Sequence, residues 1–208
     1  MFDILIIGGG VSGVSCALII GSALKRPYAE GKKAGIFTHQ KASSLQDAIF
    51  NNAYGIPAGT LGSTLMETSL EQLAALYPDM EQIPNEKVMG VEGKAGNFTV
   101  TTNKGIYKTK AIVVAIGSAN TFAIEGLMDY VIPHKKAIPE KNRIQLKNDD
   151  HLVAEGIYAA GTLAGHRSQL AIAAGSGAAI GADILTLWND GKPTQYHDKA
   201  PQPPKGEI

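Results

Sequence analysis

Four short apolar runs are spaced along the chain, and each ends at a turn residue or a glycine. They occupy residues 2–7, 34–38, 111–116 and 156–160. Apolar runs of this length, with little polar alternation, are typical of parallel strands that are buried on both faces. The pattern therefore predicts a parallel sheet that contains these four strands, and with it an α/β fold.

Three longer stretches predict helices. Residues 11–25 follow the first strand directly, residues 62–77 carry leucines near helical spacing, and residues 168–188 are a long run of small and apolar side chains. The second of these stops before Pro78, which cannot continue a helix.

The last predicted helix contains three interior glycines, Gly175, Gly177 and Gly181. Each costs about 1 kcal/mol of helix stability relative to alanine. Their presence indicates a close approach of the helix backbone to the first helix, to the sheet or to a bound cofactor. Ordinary packing of a helix on a sheet explains them equally well.

Between residues 86 and 110 the pattern changes to alternation and β-branched side chains. Three segments, Lys87–Val91, Asn97–Thr102 and Gly105–Thr109, are separated by short polar turns. This pattern predicts a three-stranded antiparallel meander. We expect the helices at 11–25 and 168–188 to cover one face of the parallel sheet and the meander to cover the other.

The remaining stretches are less regular. Residues 39–59 are predicted to be a loop, and residues 118–142 a charged surface loop with a short strand or two. The sequence of Arg143–Leu146 is consistent with one further strand. The last stretch, 191–208, is polar and rich in proline, and we expect it to be partly disordered.

Composition narrows the classes of partner. Nineteen basic residues balance nineteen acidic ones among 208 residues, so nothing favours nucleic acid or a membrane surface. The single cysteine, Cys16, excludes an internal disulfide and a C-x-x-C pair, and we expect it to be a small buried residue. No apolar stretch is expected to be long enough to span a bilayer, and no charged leader precedes the first strand, so the expected compartment is the cytoplasm.

A glycine motif joins the first strand to the first helix. Gly8, Gly10 and Gly13 form G-x-G-x-x-G, the spacing of a dinucleotide-binding turn. Gly8 allows the tight turn, Gly10 leaves no Cβ between backbone and pyrophosphate, and Gly13 lets the helix lie close to the sheet. The helix N-terminus at Val11 and Ser12 then offers unpaired N–H groups and partial positive charge to phosphates.

The end of the second strand departs from that pattern. In this type of βαβ unit an acidic residue there holds the ribose. Here the position is Thr38, whose hydroxyl can still bond a ribose oxygen.

Taken in order, these segments resemble the FAD-binding part of the low-molecular-weight thioredoxin reductases, within the pyridine nucleotide–disulfide oxidoreductases. The resemblance covers residues 1–118 and 143–190. It implies a Rossmann-like FAD/NAD(P)-binding domain with FAD as cofactor. The further residues that it implies at the FAD site are Asn52 near the flavin, Ala115 and Gly117 after the third apolar strand, Gly161 and Thr162 after the fourth, and Gln169 and Leu170 at the flavin pyrimidine edge.

Two departures from the family pattern limit the function. The family's NADPH domain carries a second glycine-rich turn and a Cys-x-x-Cys, but residues 118–142 stand in its place and contain neither. We therefore expect one FAD-binding domain over 1–190 and no thioredoxin reduction by the family's usual route. Thr162 also replaces an Asp, and a neutral acceptor makes weaker hydrogen bonds than a charged one.

The preferred hypothesis is an FAD-dependent oxidoreductase with an external electron donor or acceptor, such as NAD(P)H, a protein partner or a small quinone-like molecule. His166 and Arg167 are weak candidates for catalysis, and His134 is a weaker one. The alternatives are a non-enzymatic FAD- or dinucleotide-binding module and an interaction protein without cofactor. The resemblance also implies a possible homodimer, and no metal site is expected.

Overall fold

The computed structural model describes residues 1–39 and 45–194. Thirteen strands and three α-helices lie within this part of the chain. In chain order they are β1 (Ile4–Ile7), α1 (Val11–Ala23), β2 (Ala34–Phe37), β3 (Ile49–Phe50), β4 (Thr60–Leu61), α2 (Gly62–Leu76), β5 (Met80–Ile83), β6 (Val88–Lys94), β7 (Asn97–Thr102), β8 (Ile106–Thr109), β9 (Ile112–Val114), β10 (Val131–Pro133), β11 (Ile144–Leu146), β12 (Leu152–Ala154), β13 (Ile157–Ala159) and α3 (Leu170–Trp188).

The central sheet has six strands in the order β12-β13-β9-β1-β2-β5. All neighbours are parallel except β12, which runs antiparallel to β13. The four strands predicted from apolar runs are β1, β2, β9 and β13, and the prediction of a parallel α/β sheet is confirmed. β5 was not predicted, because its Met-Glu-Gln-Ile sequence carries two polar residues, as an edge strand that is only partly covered can.

Alternation along β1 divides the core into two layers. Ile4 and Ile6 pack in a cluster with residues of α1 and α3, whereas Leu5 and Ile7 pack with residues of the meander β6–β8. Successive side chains of a strand point to opposite faces, so one short strand serves both layers. The predicted arrangement of helices on one face and a meander on the other is confirmed.

The interior glycines of α3 mark its contact with α1. A Cβ on Gly177 would overlap the carbonyl oxygen of Ser12, and one on Gly181 would lie 2.8 Å from the Cβ of Ile19. Gly175 has no neighbour within 4 Å of the same position. The close approach is therefore to the first helix, which decides between the explanations left open by the sequence.

By length and composition, α3 is apolar enough to cross a membrane, and this corrects the expectation that no stretch is long enough. The observation is weak evidence for a span, because the core helix of a soluble protein passes the same criterion. The contact with α1 gives α3 a reason to be apolar within the fold.

Residues 118–142 fold against the rest of the domain. β10 pairs with β11, and two 3-10 turns lie at Met128–Tyr130 and Pro139–Lys141. Glu125 exchanges backbone hydrogen bonds with the first meander strand. The short strand predicted here and the strand at 143–146 are confirmed. β3 was not foreseen, since it lies inside the predicted loop 39–59 and forms a small hairpin with β4 just after that loop. Most of the tail predicted to be disordered, 195–208, lies outside the described residues.

Candidate functional site

The carboxyl ends of three neighbouring strands open into one cleft. β13, β9 and β1 are adjacent in the sheet, and the residues that follow each of them line a cavity of about 820 Å³. The strand ladder continues just past the ends, since Ala115 N–H donates to the Ile7 carbonyl and Ala160 N–H donates to the Val114 carbonyl. In open α/β sheets this is the edge at which ligands bind.

Most of the predicted site residues line this cleft. They are Gly8, Gly10, Val11, Ser12, Ala115, Gly117, Thr162, His166, Arg167, Gln169 and Leu170. They come from three separate strand ends and two helix N-termini, so the fold brings together positions more than 100 residues apart in the chain.

Four predicted site residues are placed elsewhere. Gly13 packs on the Gly8 carbonyl, and Gly161 donates its N–H to the buried Ser176 hydroxyl at 2.8 Å. Thr38 donates its N–H to the Ile83 carbonyl, and its neighbour His39 lines the cleft instead. Asn52 is exposed to solvent.

An apolar cavity of about 250 Å³ adjoins the main cleft. It lies where α1, α2 and α3 meet, and Ala53, Tyr54 and Ile56 form part of its wall. Asn52 precedes this segment, so the loop predicted to lie beside a flavin does border an apolar space next to the cleft.

The glycine turn has the shape that a pyrophosphate needs. Gly8 adopts a φ of 116°, and a Cβ there would lie 2.6 Å from the Ala115 carbonyl oxygen, so only glycine fits. Gly10 has an ordinary φ of −77°, and apart from its chain neighbours no atom of residues 1–39 or 45–194 lies within 4 Å of the place that a Cβ would take. The gap at Gly10 is thus not required by the protein's own packing, and a ligand atom can take it.

Both helix N-termini at the cleft carry positive partial charge. α1 begins at Val11 without a side-chain cap. α3 begins at Leu170, and its N-cap Gln169 accepts a hydrogen bond from Ile172 N–H through Oε1 at 3.1 Å. The uncapped N–H groups of α1 therefore remain available to an anion.

Four cationic side chains add to this charge. Lys136, Lys141 and Arg143 line the cleft beside Arg167, and no acidic side chain does so among the residues that the structure describes. Lys136 and Lys141 were not predicted, because the charges of 118–142 were interpreted as a solvated surface, and Arg143 was assigned only to a strand. Basic and acidic residues are equally numerous over 118–142, so only the path of this segment shows that it forms a wall of the cleft.

A histidine pair lies at the same end of the cleft as Thr162. Nε2 of His166 is 3.0 Å from Nε2 of His151, which in turn is 2.9 Å from the Ser176 hydroxyl. His151 and Ser176 are buried, while His166 is half-buried and lines the cleft. Burial lowers the pKa of His166, with His151 and Lys136 acting in the same direction and Asp150 opposing them.

Cys16 lies buried on α1, as expected, and burial raises the pKa of its thiol. A thiol that stays protonated is not a nucleophile. Among the described residues there is also no group of three His, Cys, Asp or Glu side chains that could hold a metal ion.

The family model for pyridine nucleotide-disulphide oxidoreductases matches residues 2–154, which is most of the chain. The chain belongs to this family. The matched range contains the glycine turn, the meander and β9, and so spans the part of the fold that builds one side of the cleft.

Curated relatives of this oxidoreductase chain are named ferredoxin–NADP reductases. The one from Streptococcus thermophilus is 32% identical over 123 residues, covering 57% of this chain and 35% of the relative. The one from Pediococcus pentosaceus is 28% identical over 167 residues, covering 75% of this chain and 47% of the relative. The chain thus spans about half or less of the length of these relatives.

Solved structures share the fold. A thioredoxin reductase from Gloeobacter violaceus aligns with a TM-score of 0.71 at 16% identity, covering 96% of this chain and 98% of that chain. A ferredoxin-flavin thioredoxin reductase from Clostridium acetobutylicum aligns with a TM-score of 0.66 at 18% identity, covering 91% and 98%. At these identities the likeness concerns the fold alone, and it agrees with the Rossmann-like class predicted from the sequence.

Proposed function

We propose that this chain is an FAD-dependent oxidoreductase that exchanges electrons with an external donor and acceptor. The observation that carries the proposal is the cleft itself. An open Gly10 position, an uncapped helix N-terminus and four cationic side chains meet there, and none of the described residues that line it is acidic. A dinucleotide with two phosphates matches both the shape and the charge of this site.

Each part of the cleft has a role toward this cofactor. The turn at Gly8–Gly10 and the α1 N-terminus would hold the pyrophosphate, and Thr162 would accept a hydrogen bond from the ribityl chain. The N-terminus of α3 at Leu170 would stabilise negative charge at the pyrimidine edge. Bound FAD would supply the redox chemistry, and the protein would orient it and set its electrostatic surroundings.

The adjoining apolar cavity is the place that suits an aromatic ring system. Its walls are mostly apolar, and it shares Gly10, Val11 and Leu170 with the main cleft. Flat apolar rings gain binding free energy from burial against such walls.

Thioredoxin reduction by an internal dithiol is not part of this proposal, because the sequence contains one cysteine and that thiol is buried. The electron donor would come from outside the chain. NADPH is the donor to test first, since the matched curated relatives are named ferredoxin–NADP reductases.

The deciding experiment is a visible absorption spectrum of the purified protein before and after FAD is added and excess is removed. We expect flavin bands at stoichiometric occupancy. Anaerobic addition of NADPH or NADH should then bleach these bands. A protein that takes up no FAD would contradict the proposal.

A protein that binds FAD but is not reduced by NADPH, NADH or a reduced low-potential mediator would instead favour a non-enzymatic binding module. The specific observation that favours a non-enzymatic module is the identity of Thr162. It leaves the cleft without the carboxylate that the family pattern has at this position, so the cofactor would be held by one charged acceptor fewer.

A further inference from the structure

The histidine pair continues beyond the cleft to the protein surface. His166 lines the cleft, and its Nε2 lies 3.0 Å from the Nε2 of the buried His151. On the other side of the His151 ring, Nδ1 lies 3.6 Å from a carboxylate oxygen of Asp150, whose side chain is 96% exposed. His166, His151 and Asp150 therefore form a continuous chain of titratable side chains from the cleft to solvent.

The backbone holds His151 in this position at a cost. Asp150 and His151 both have positive φ, 42° and 73°, which is uncommon for residues other than glycine. Strain of this kind persists only where the surroundings enforce it, and it occurs often at functional sites.

Hydrogen bonds fix the strained turn. The Asn148 side chain accepts from His151 N–H at 3.2 Å and donates to the Leu146 carbonyl at 2.7 Å. The His151 carbonyl accepts from Ala159 N–H in β13 at 2.9 Å. The turn is thus anchored to the sheet, and the ring of His151 points inward between the cleft and the surface.

We propose that His166, His151 and Asp150 form a proton relay between the cleft and solvent. His166 is the catalytic member, because it reaches the cleft, and the other two act through it. This inference rests on the proposed function, since reactions of a bound flavin take up and release protons along with electrons.

The relay moves one proton and no electrons. Both rings start neutral, with His166 protonated on Nδ1 and His151 on Nε2. Nδ1 of His151 first takes a proton from Asp150 or from water beside it, and the His151 Nε2–H then passes to Nε2 of His166. The His166 Nδ1–H finally passes to a basic atom in the cleft, so neither ring becomes an imidazolate. The reverse sequence releases a proton outward and restores both tautomers.

Ser176 contacts His151, the middle residue of the proposed relay. Its hydroxyl oxygen accepts from Gly161 N–H at 2.8 Å and lies 2.9 Å from Nε2 of His151. A hydroxyl can accept from or donate to the imidazole, so it can bond either tautomer as the proton passes.

Charged side chains lie close to the histidine pair. Lys136 faces His166 across the cleft and lowers its pKa, whereas Asp150 raises it. On α3, burial and the charge of Asp150 raise the pKa of Asp183, and His151 opposes that rise. Lys136 and Asp150 therefore act in opposite directions on the proton that His166 holds.

The first test uses the protein without cofactor. In ¹⁵N-histidine-labelled protein we expect a scalar coupling between the two Nε2 nuclei across their hydrogen bond. Replacing His151→Asn, a residue that tolerates positive φ, should abolish the coupling and raise the pKa of His166 toward the ordinary histidine value. A wild-type spectrum without the coupling, or a His166 titration unchanged in the variant, would overturn the relay.

The second test measures proton uptake by an indicator dye during anaerobic reduction of the FAD-loaded protein. We expect Asp150→Asn to slow proton uptake and to shift its pH profile. The same substitution one residue earlier, Asp149→Asn, should leave both unchanged, because no contact joins that carboxylate to either ring in the described structure. We expect His151→Asn to slow uptake by about tenfold or more, in the range of general acid–base effects.

Equal rates in Asp150→Asn, Asp149→Asn and wild type would contradict the relay even if FAD binds and is reduced. Conversely, failure to bind FAD would contradict the proposed function without changing the ¹⁵N coupling. The two proposals therefore fail in different measurements.

Discussion

Single residues decide whether the glycine turn of this chain binds a ligand or only closes a fold. Gly8 and Gly13 are required by the protein itself, because a side chain at either would meet backbone atoms. Gly10 is not, since the space beside it is open and its backbone angles suit any residue. A function in binding phosphate explains Gly10 where packing does not.

This difference gives a matched pair of substitutions. We expect Gly10→Ala to fold, with a loss of at most about 1 kcal/mol because alanine is a poor N-cap, but to bind FAD at least about tenfold more weakly. Gly13→Ala should instead unfold or strongly destabilise the protein. Thermal melts of the cofactor-free proteins and FAD fluorescence titrations separate the two effects, and unchanged FAD affinity in Gly10→Ala would place the phosphates elsewhere.

Substitutions of Thr162 test the part of the proposed cofactor site that follows β13. Thr162→Asp should strengthen FAD binding by roughly tenfold, because a carboxylate is a stronger acceptor and the nearby Lys136, Arg143 and Arg167 offset its charge. Thr162→Asn introduces a side chain of the same size as Asp but without its charge, and it should show no such gain. Titration calorimetry compares the three proteins, and weaker binding in Thr162→Asp would show that phosphate repulsion dominates.

Protonation of His166 is expected to change the stability of the folded protein. The pKa of this histidine is lowered in the folded protein, so the unfolded chain binds the proton more readily and stability falls as pH drops below the ordinary value of 6.5. Melting temperatures should therefore decline between about pH 7.5 and 5.5, well above the range of Asp3, whose pKa is lowered. His166→Gln should flatten this decline, and an identical slope in both proteins would contradict the assignment.

At the scale of elements, the contact of α3 with α1 fixes the geometry of the cleft. Both helices begin at the cleft, and their backbones approach where Gly177 meets Ser12. Because Ser12 is part of the glycine turn, the packing of α3 also sets the position of the N–H groups that are proposed to bind phosphate. Small residues in α3 thus serve the site without touching a ligand.

Two glycines of α3 should respond in opposite directions to the same substitution. Gly175→Ala should stabilise the protein by up to about 1 kcal/mol, since its site is open and alanine favours a helix. Gly177→Ala should destabilise it by roughly 1–3 kcal/mol through overlap with the Ser12 carbonyl. Urea denaturation at neutral pH measures both, and a stable Gly177→Ala would mean that the helices can separate at little cost.

The elements that the sequence predicts well are those whose signal is local. β1, the glycine turn and α1 follow one another within about 25 residues, and each has its own pattern. β5 was missed because two polar residues separate its apolar ends, Met80 and Ile83, which pack in opposite layers of the core, so it shows neither an apolar run nor alternation. The His151–His166–Ser176 cluster was missed because tertiary folding joins three segments that carry no common motif.

At the scale of the whole molecule, an evenly balanced chain carries an uneven distribution of charge. The net charge is zero, yet the described lining of the cleft has only cationic charged groups. A cleft of one sign attracts anionic ligands and accelerates their approach. Net charge alone therefore gave no indication of the ligand class.

A neutral substitution measures this effect. Lys136→Gln should weaken the binding of FAD or NADPH by about two- to fivefold at low salt, and the difference should shrink as salt is added. Lys135→Gln removes the same charge from the neighbouring position, which does not line the cleft, and should bind like wild type. Equal losses of affinity in both variants would show that the net charge of the protein, and not the position of Lys136 in the cleft, determines the effect.

The meeting of the first and last helices also has a consequence for how the protein is made. Residues 8–13 leave the ribosome long before the strand end at 160–162 and the partner helix α3. Until α3 follows, the turn lacks the neighbour that positions Ser12. If the chain binds FAD as proposed, loading of the cofactor is therefore expected only after α3 has been synthesised, and contacts between such distant parts of the chain favour slow closure.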